Sequence, residues 1–187
     1  MLLSQTAFRL KPAQAALIVL MHQYLLPMMD VAVTVTEAHE LMYFLQETGE
    51  NLGLRYKRAP YGVHAQNLHP LLDLMQDSFI TFGEDVEGIV ENPLYLKPGA
   101  FEQAEKLLLD NANTLARCIR ITNLFEGFES AYHLELLATV HWVATKEQAT
   151  APELAVESVQ AWNDRQKAFA PYDIKFTWQH LKKQGWL

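Results

Sequence analysis

Cys118 is the only cysteine in 187 residues, which excludes an internal disulfide and any metal site built on several thiolates. Neither GxGxxG nor the P-loop pattern occurs, so glycine-rich loops that cradle phosphates in those ways are absent. Long apolar runs are missing too. The stretch LIVLM begins at Leu17, but His22, Gln23 and Tyr24 interrupt it, and it is too short to span a bilayer. The basic n-region and small-residue cleavage site of a signal peptide are not evident, so the chain reads as cytoplasmic, with no membrane partner. Positive charge is scarce: 15 Lys and Arg against 22 Asp and Glu leave a formal charge of −7. Phosphate backbones repel such a chain, and the one dense basic run, Arg55, Lys57 and Arg58, is too small to carry nucleic-acid binding alone.

What is present is apolar material: 50% of residues are hydrophobic and 20% charged, enough for one domain over residues 1–187 with a real core. Pro12 suits the first turn of a helix whose apolar positions run to Leu25. VAVTV from Val31 to Val35 is ambiguous between a strand and a tight connection. Thr34 with Glu37 forms a capping box for the next helix, with Thr36 as the alternative cap, and Gly49 ends it. Leu52 to Tyr56 reads as extended, and Pro60-Tyr61-Gly62 as a turn opening a helix that ends near Met75. FITF (Phe79 to Phe82) and PLYL (Pro93 to Leu96) pair as a small hairpin across an acidic loop. Residues 100–109, 114–128, 131–145 and 152–167 are helical candidates, and a last helix starts near Phe176. No internal repeat or long linker interrupts them. The expected fold is mainly α, a compact bundle of about seven to eight helices with a possible small β-hairpin around residues 79–96.

Candidate chemistry fails its own tests. His39-Glu40 begins like the zinc motif HExxH, but Tyr43 stands where the second histidine belongs. His64 and His69 are five apart and diverge on a helix. Glu129 and His133 are four apart and can pair on one helix face. His141 lies in the apolar helix LELLATVHWVA, where a satisfied core histidine is the default. Cys118, between Leu115 and Ile119, reads as a small core hydrophobe. No catalytic constellation, metal site or cofactor is expected on these grounds. The acidic residues Asp73, Asp77, Glu84, Asp85, Glu87 and Glu91 follow one another with no Lys or Arg between them. They form either a solvated face or, with Phe79, Ile80, Phe82, Val86 and Ile89 interleaved, a ridge that docks in a basic groove.

Three separated segments carry a family resemblance. HELMYFLQETGENLGLRYKRAPYGVHAQNLHPLL from His39, GFESAYHLELLATVHWV from Gly127, and AWNDRQKAF with WQHLKKQGWL towards Leu187 resemble the C-terminal domain of DarG antitoxins. A pattern-level similarity to SocA-like Panacea antitoxin domains accompanies it, with Tyr61-Gly62-Val63 departing from that family's YGP turn. The resemblance implies a non-enzymatic domain that binds and inhibits a DarT-type DNA ADP-ribosyltransferase toxin. The family's glycohydrolase activity would belong to an N-terminal macrodomain, and the chain would be a fragment of a longer protein with Met1 an addition. On this reading the acidic ridge occludes the toxin's single-stranded-DNA groove by mimicking DNA, without direct nucleic-acid contact. The expected toxin-binding residues are Asp77, Glu84, Asp85, Glu87 and Glu91, with Tyr61 and His64 as further contacts or as core residues pinning the turn. Two alternatives stand beside it. One is an enzyme acting on ADP-ribosylated DNA through Glu129, His133 and His141, and the other a DNA-binding autoregulator using Arg55, Lys57 and Arg58.

Overall fold

The computed structural model describes residues 9–83 and 92–187. It is mainly α, with eight α-helices and five short strands among the described residues. Helix α1 (Pro12–Met28) starts on the proline that its first turn tolerates and is apolar nearly all round, burying every residue from Gln14 to Met21. A helix of that kind has no solvent face to offer, so it lies at the centre, against α4 (Ala100–Leu109) and α5 (Ala112–Phe125). Met29 closes it in the left-handed region at φ 52°, which lets the chain reverse.

Strand β1 (Ala32–Thr34) resolves the VAVTV ambiguity in favour of a strand. Thr34 then caps α2 (Val35–Glu47). Its hydroxyl accepts the Glu37 N–H at 3.1 Å, while the Glu37 carboxylate accepts the Thr34 N–H at 2.6 Å. Thr34, not Thr36, is the cap. Helix α2 is buried from Glu37 to Leu45 and packs on α6 (Ala131–Lys146), which is buried almost as completely. These two helices form the second layer of the core.

The expected FITF–PLYL hairpin is present as β4 (Ile80–Phe82) and β5 (Pro93–Leu96), antiparallel, with Thr81 opposite Tyr95. Strand β1 adds to the other edge of β5, with Val33 opposite Leu94, giving a three-stranded sheet in the order β1-β5-β4.

The Pro60-Tyr61-Gly62 turn does not open a helix. It joins β2 (Lys57–Ala59) to β3 (Gly62–His64), an antiparallel hairpin with Ala59 opposite Gly62. The cause is tertiary. Gly62 sits at φ +103°, and a Cβ there would meet the Glu135 Cγ and a Glu40 carboxylate oxygen, each at 3.5 Å. Those are ordinary contact distances, so it is the positive φ that calls for glycine, while the backbone packs against α2 and α6. A 3₁₀ turn at Gln66–Leu68 then leads into α3 (His69–Met75).

Further boundaries differ from expectation, and α5 runs over Ala112–Phe125 rather than 114–128. The helix expected over residues 152–167 ends early, as α7 (Pro152–Gln160), and resumes as a 3₁₀ turn at Gln166–Ala168. Trp162 and Asn163 leave the helix because their side chains donate to the carbonyls of Ala59 at 3.0 Å and Pro60 at 3.3 Å. The last helix, α8 (Pro171–Lys183), begins at its proline rather than near Phe176. Helices α6, α7 and α8 pack together, and Trp186 folds back into the core with its ring edge-on to Phe44 at 5.3 Å. No helix among the described residues is long and apolar enough to cross a membrane.

Candidate functional site

The β2–β3 hairpin is the centre of the most feature-rich surface. The segment before it is held by side chains rather than by a ladder. Gln46 accepts the Leu54 N–H at 2.8 Å and donates to its carbonyl at 3.0 Å, while Asn67 accepts from Arg55 and donates to Gly53. That bracing delivers Arg58 and Tyr61 to one side of the hairpin and His64 to the other.

On one side, Arg58, Tyr61, Trp162 and Arg165 line an open cleft of about 570 Å3. Both arginines are locked from behind. Arg58 forks onto Glu147, with Nε donating at 2.6 Å, and lies 4.5 Å over the Trp162 ring. Arg165 forks onto Glu135 at 2.9 and 2.7 Å and lies 5.3 Å from the Tyr61 ring. Gln166 donates a third bond to Glu135 at 2.8 Å, so that nearly buried carboxylate is well solvated by donors. Tyr61, 45% exposed, stands between this cleft and the next.

On the other side a second cleft, about 510 Å3, is lined by His39, Tyr61, His64, His69 and Phe82 among others. Three segments bring its histidines together: His39 from α2, His64 from the end of β3 and His69 from the start of α3. The His39 and His64 rings lie 4.0 Å apart, and His69 sits 5.5 Å from His39 and 5.8 Å from His64. One nitrogen of each lies within 4.8 Å of the others, the group among the described residues with the geometry to hold a metal ion. The expectation that His64 and His69 diverge is therefore corrected: it assumed a single helix, whereas a strand end, a 3₁₀ turn and a helix start separate them.

His39 is 1% exposed. Burial, then the charges of His64 and His69, lower its pKa to about 3, so the ring is neutral at neutral pH. Its Nδ1 accepts the Ala65 N–H at 3.3 Å, and its Nε2 has no hydrogen-bond partner among the described residues.

The other expected residues fall elsewhere. Asp77 is exposed in the tight turn between α3 and β4, at φ 63°. Glu84, Asp85, Glu87 and Glu91 lie outside the described residues. The trio Glu129, His133 and His141 does not form a site. Ser130 caps the start of α6, its Oγ accepting the His133 N–H at 3.2 Å and lying 2.8 Å from the His133 Nδ1, whereas His141 lies eight residues further on, about 12 Å along the axis. There it is buried against the Tyr43 hydroxyl at 2.7 Å. Cys118 is buried in α5, as expected of a core hydrophobe, and burial pushes its thiol up to about 12. Sequence reasoning named His39 and His69 but set both aside as ligands, each within its own segment. The one available signal was the recurrence of histidine at 39, 64 and 69 beside Tyr61.

No family model matches the chain. It is 34% identical over 181 residues to a DNA ADP-ribosyl glycohydrolase of Thermus aquaticus, a match covering 97% of this chain and 49% of that protein. Proteins of the same name from Mycobacterium bovis and Mycobacterium tuberculosis are each 31% identical over 134 residues, covering 69% of this chain and 38% of theirs. The chain thus spans half or less of the length of the curated relatives it matches. All three carry the name of an enzyme, which overturns the expectation of a non-enzymatic antitoxin domain that blocks a DarT-type toxin by DNA mimicry. Their names favour the alternative, an enzyme acting on ADP-ribosylated DNA, although not through Glu129, His133 and His141.

Proposed function

We propose that the chain serves the removal of ADP-ribose from DNA, as part of a protein of the DNA ADP-ribosyl glycohydrolase kind. The observation that carries this reading is the 34% identity to the Thermus aquaticus protein across 97% of the chain. The paired clefts around Tyr61 supply a place for such a substrate to be handled. Tyr61 and Trp162 offer aromatic faces to a base, and the Arg58 and Arg165 guanidiniums lie beside them. The imidazoles of His64 and His69 border the second cleft, within reach of a ligand that spans both. A DNA substrate is in keeping with the cytoplasmic location expected from the sequence.

The test compares release of ADP-ribose from an ADP-ribosylated oligonucleotide by the longer protein containing this chain and by variants of it. Tyr61→Ala is expected to raise KM roughly tenfold, the cost of one lost base-stacking contact of about 1–3 kcal/mol. Unchanged kinetics in Tyr61→Ala, and in a version from which residues 9–187 are deleted, would sink the reading.

A further inference from the structure

We propose that His39, His64 and His69 form a binding site for one divalent transition-metal ion of the zinc class. This goes beyond the glycohydrolase reading and does not depend on it. The three rings converge from three separate segments, with one nitrogen of each within 4.8 Å of the others. Zinc–imidazole bonds of about 2.0–2.1 Å put ligand nitrogens some 3.3–3.4 Å apart in a tetrahedral site. The rings therefore need to draw in by little more than about 1.5 Å. His69 is exposed on the first turn of α3 and His64 is half-buried at a strand end, so the two rings nearest solvent make most of that movement.

The second observation is the orphaned atom. His39 Nε2 is buried and has no hydrogen-bond partner among the described residues, which is costly for a polar atom unless something binds it. Neutral imidazole suits zinc, nickel and copper, and no thiolate or carboxylate in the cluster favours a harder ion. Three protein ligands leave a fourth position open towards the 510 Å3 cleft, where a water or a ligand oxygen would complete the coordination.

Ala65 reports on the site. In the metal-free ring its N–H donates to Nδ1, so the neutral ring carries its proton on Nε2. If the ion takes Nε2, the ring's single proton passes from Nε2 to Nδ1, which then donates rather than accepts. If the ion takes Nδ1, the lone pair is used directly. Either way the Ala65 N–H loses its acceptor.

The experiment titrates the tag-free, chelator-treated chain with zinc chloride alone by calorimetry, and follows the Ala65 amide in a 15N-labelled sample. One ion per chain is expected, with a large shift of the Ala65 resonance on loading. His69→Gln, at an exposed position on the first turn of α3, is expected to weaken binding by at least about tenfold, the range that loss of even an outer-shell partner produces. His64→Gln should do the same. Absence of zinc binding below millimolar concentration would overturn the proposal. So would binding that His69→Gln leaves unchanged, or that leaves the Ala65 amide unmoved, since the ion would then sit on other histidines.

Discussion

Two buried histidines differ in what their ring nitrogens meet: His39 Nε2 has no hydrogen-bond partner among the described residues, whereas the His141 ring is satisfied. His141 is enclosed by α2 and the returning C-terminus, between Tyr43, Phe44 and Trp186. Burial, with smaller contributions from Lys146 and Arg120, lowers its pKa to about 4, while the backbone of Trp186 and the Tyr43 hydroxyl satisfy the neutral ring. In the unfolded chain the same group titrates near its ordinary value of about 6.5. The unfolded state therefore binds more protons between about pH 6.5 and pH 4. Stability from the neutral ring is complete above that window and is lost as pH falls through it. The denaturation midpoint in urea should fall from pH 7 to pH 4 more steeply in the natural chain than in His141→Gln, which cannot charge. Equal slopes would show that the ring protonates without cost. Tyr43→Phe tests the same contact at fixed pH. It leaves the buried Nδ1 without its partner and should cost about 1–3 kcal/mol of unfolding free energy.

Among the elements, those written in local chemistry were legible and those set by tertiary contact were not. The Thr34–Glu37 box fixes the start of α2 because both partners lie within one turn. The β4–β5 hairpin shows itself through two short β-rich runs. By contrast, nothing near Pro60-Tyr61-Gly62 announces a strand, because the hairpin rests on α2 and α6 through Glu40 and Glu135, and the positive φ of Gly62 is visible only once it is folded. The end of α7 is equally hidden: Trp162 and Asn163 are acceptable helix residues, drawn away by carbonyls about a hundred positions earlier. The histidine cluster shares that cause, since helix periodicity on one segment says nothing about three segments meeting. Glu37 shows how a local device acquires a wider role. Besides the Thr34 backbone, its carboxylate accepts the buried Tyr24 hydroxyl of α1 at 2.7 Å, joining α1 to α2. Thr34→Ala should cost about 1 kcal/mol, the ordinary value of a helix cap. Glu37→Ala strands the Tyr24 hydroxyl as well and should cost measurably more in the same urea titration. Equal losses would mean that the α1–α2 link contributes nothing.

At the scale of the molecule, the β2–β3 hairpin is small yet holds distant parts of the chain to one another. Its Ala59 carbonyl accepts from Trp162, its Arg58 forks onto Glu147 beyond the end of α6, and Gly62 sits against α6 and α2. Trp142 donates to the same Glu147 carboxylate at 2.9 Å, tying α6 into the arrangement. A two-stranded hairpin alone is at best marginally stable in water, so this one persists through those attachments. Both clefts share its turn, and a loosened hairpin would displace Tyr61 and His64 together. Trp162→Leu removes the indole donor and the ring under Arg58 while keeping an apolar side chain at the position. Amide exchange should then accelerate across residues 57–64 by roughly ten- to a hundredfold, the equivalent of about 1.4–3 kcal/mol of local stability. The amides of α1, whose burial does not involve the hairpin, should keep their rates. If α1 accelerated equally, the hairpin would open only with the whole molecule, and the two clefts would be as rigid as the core beneath them.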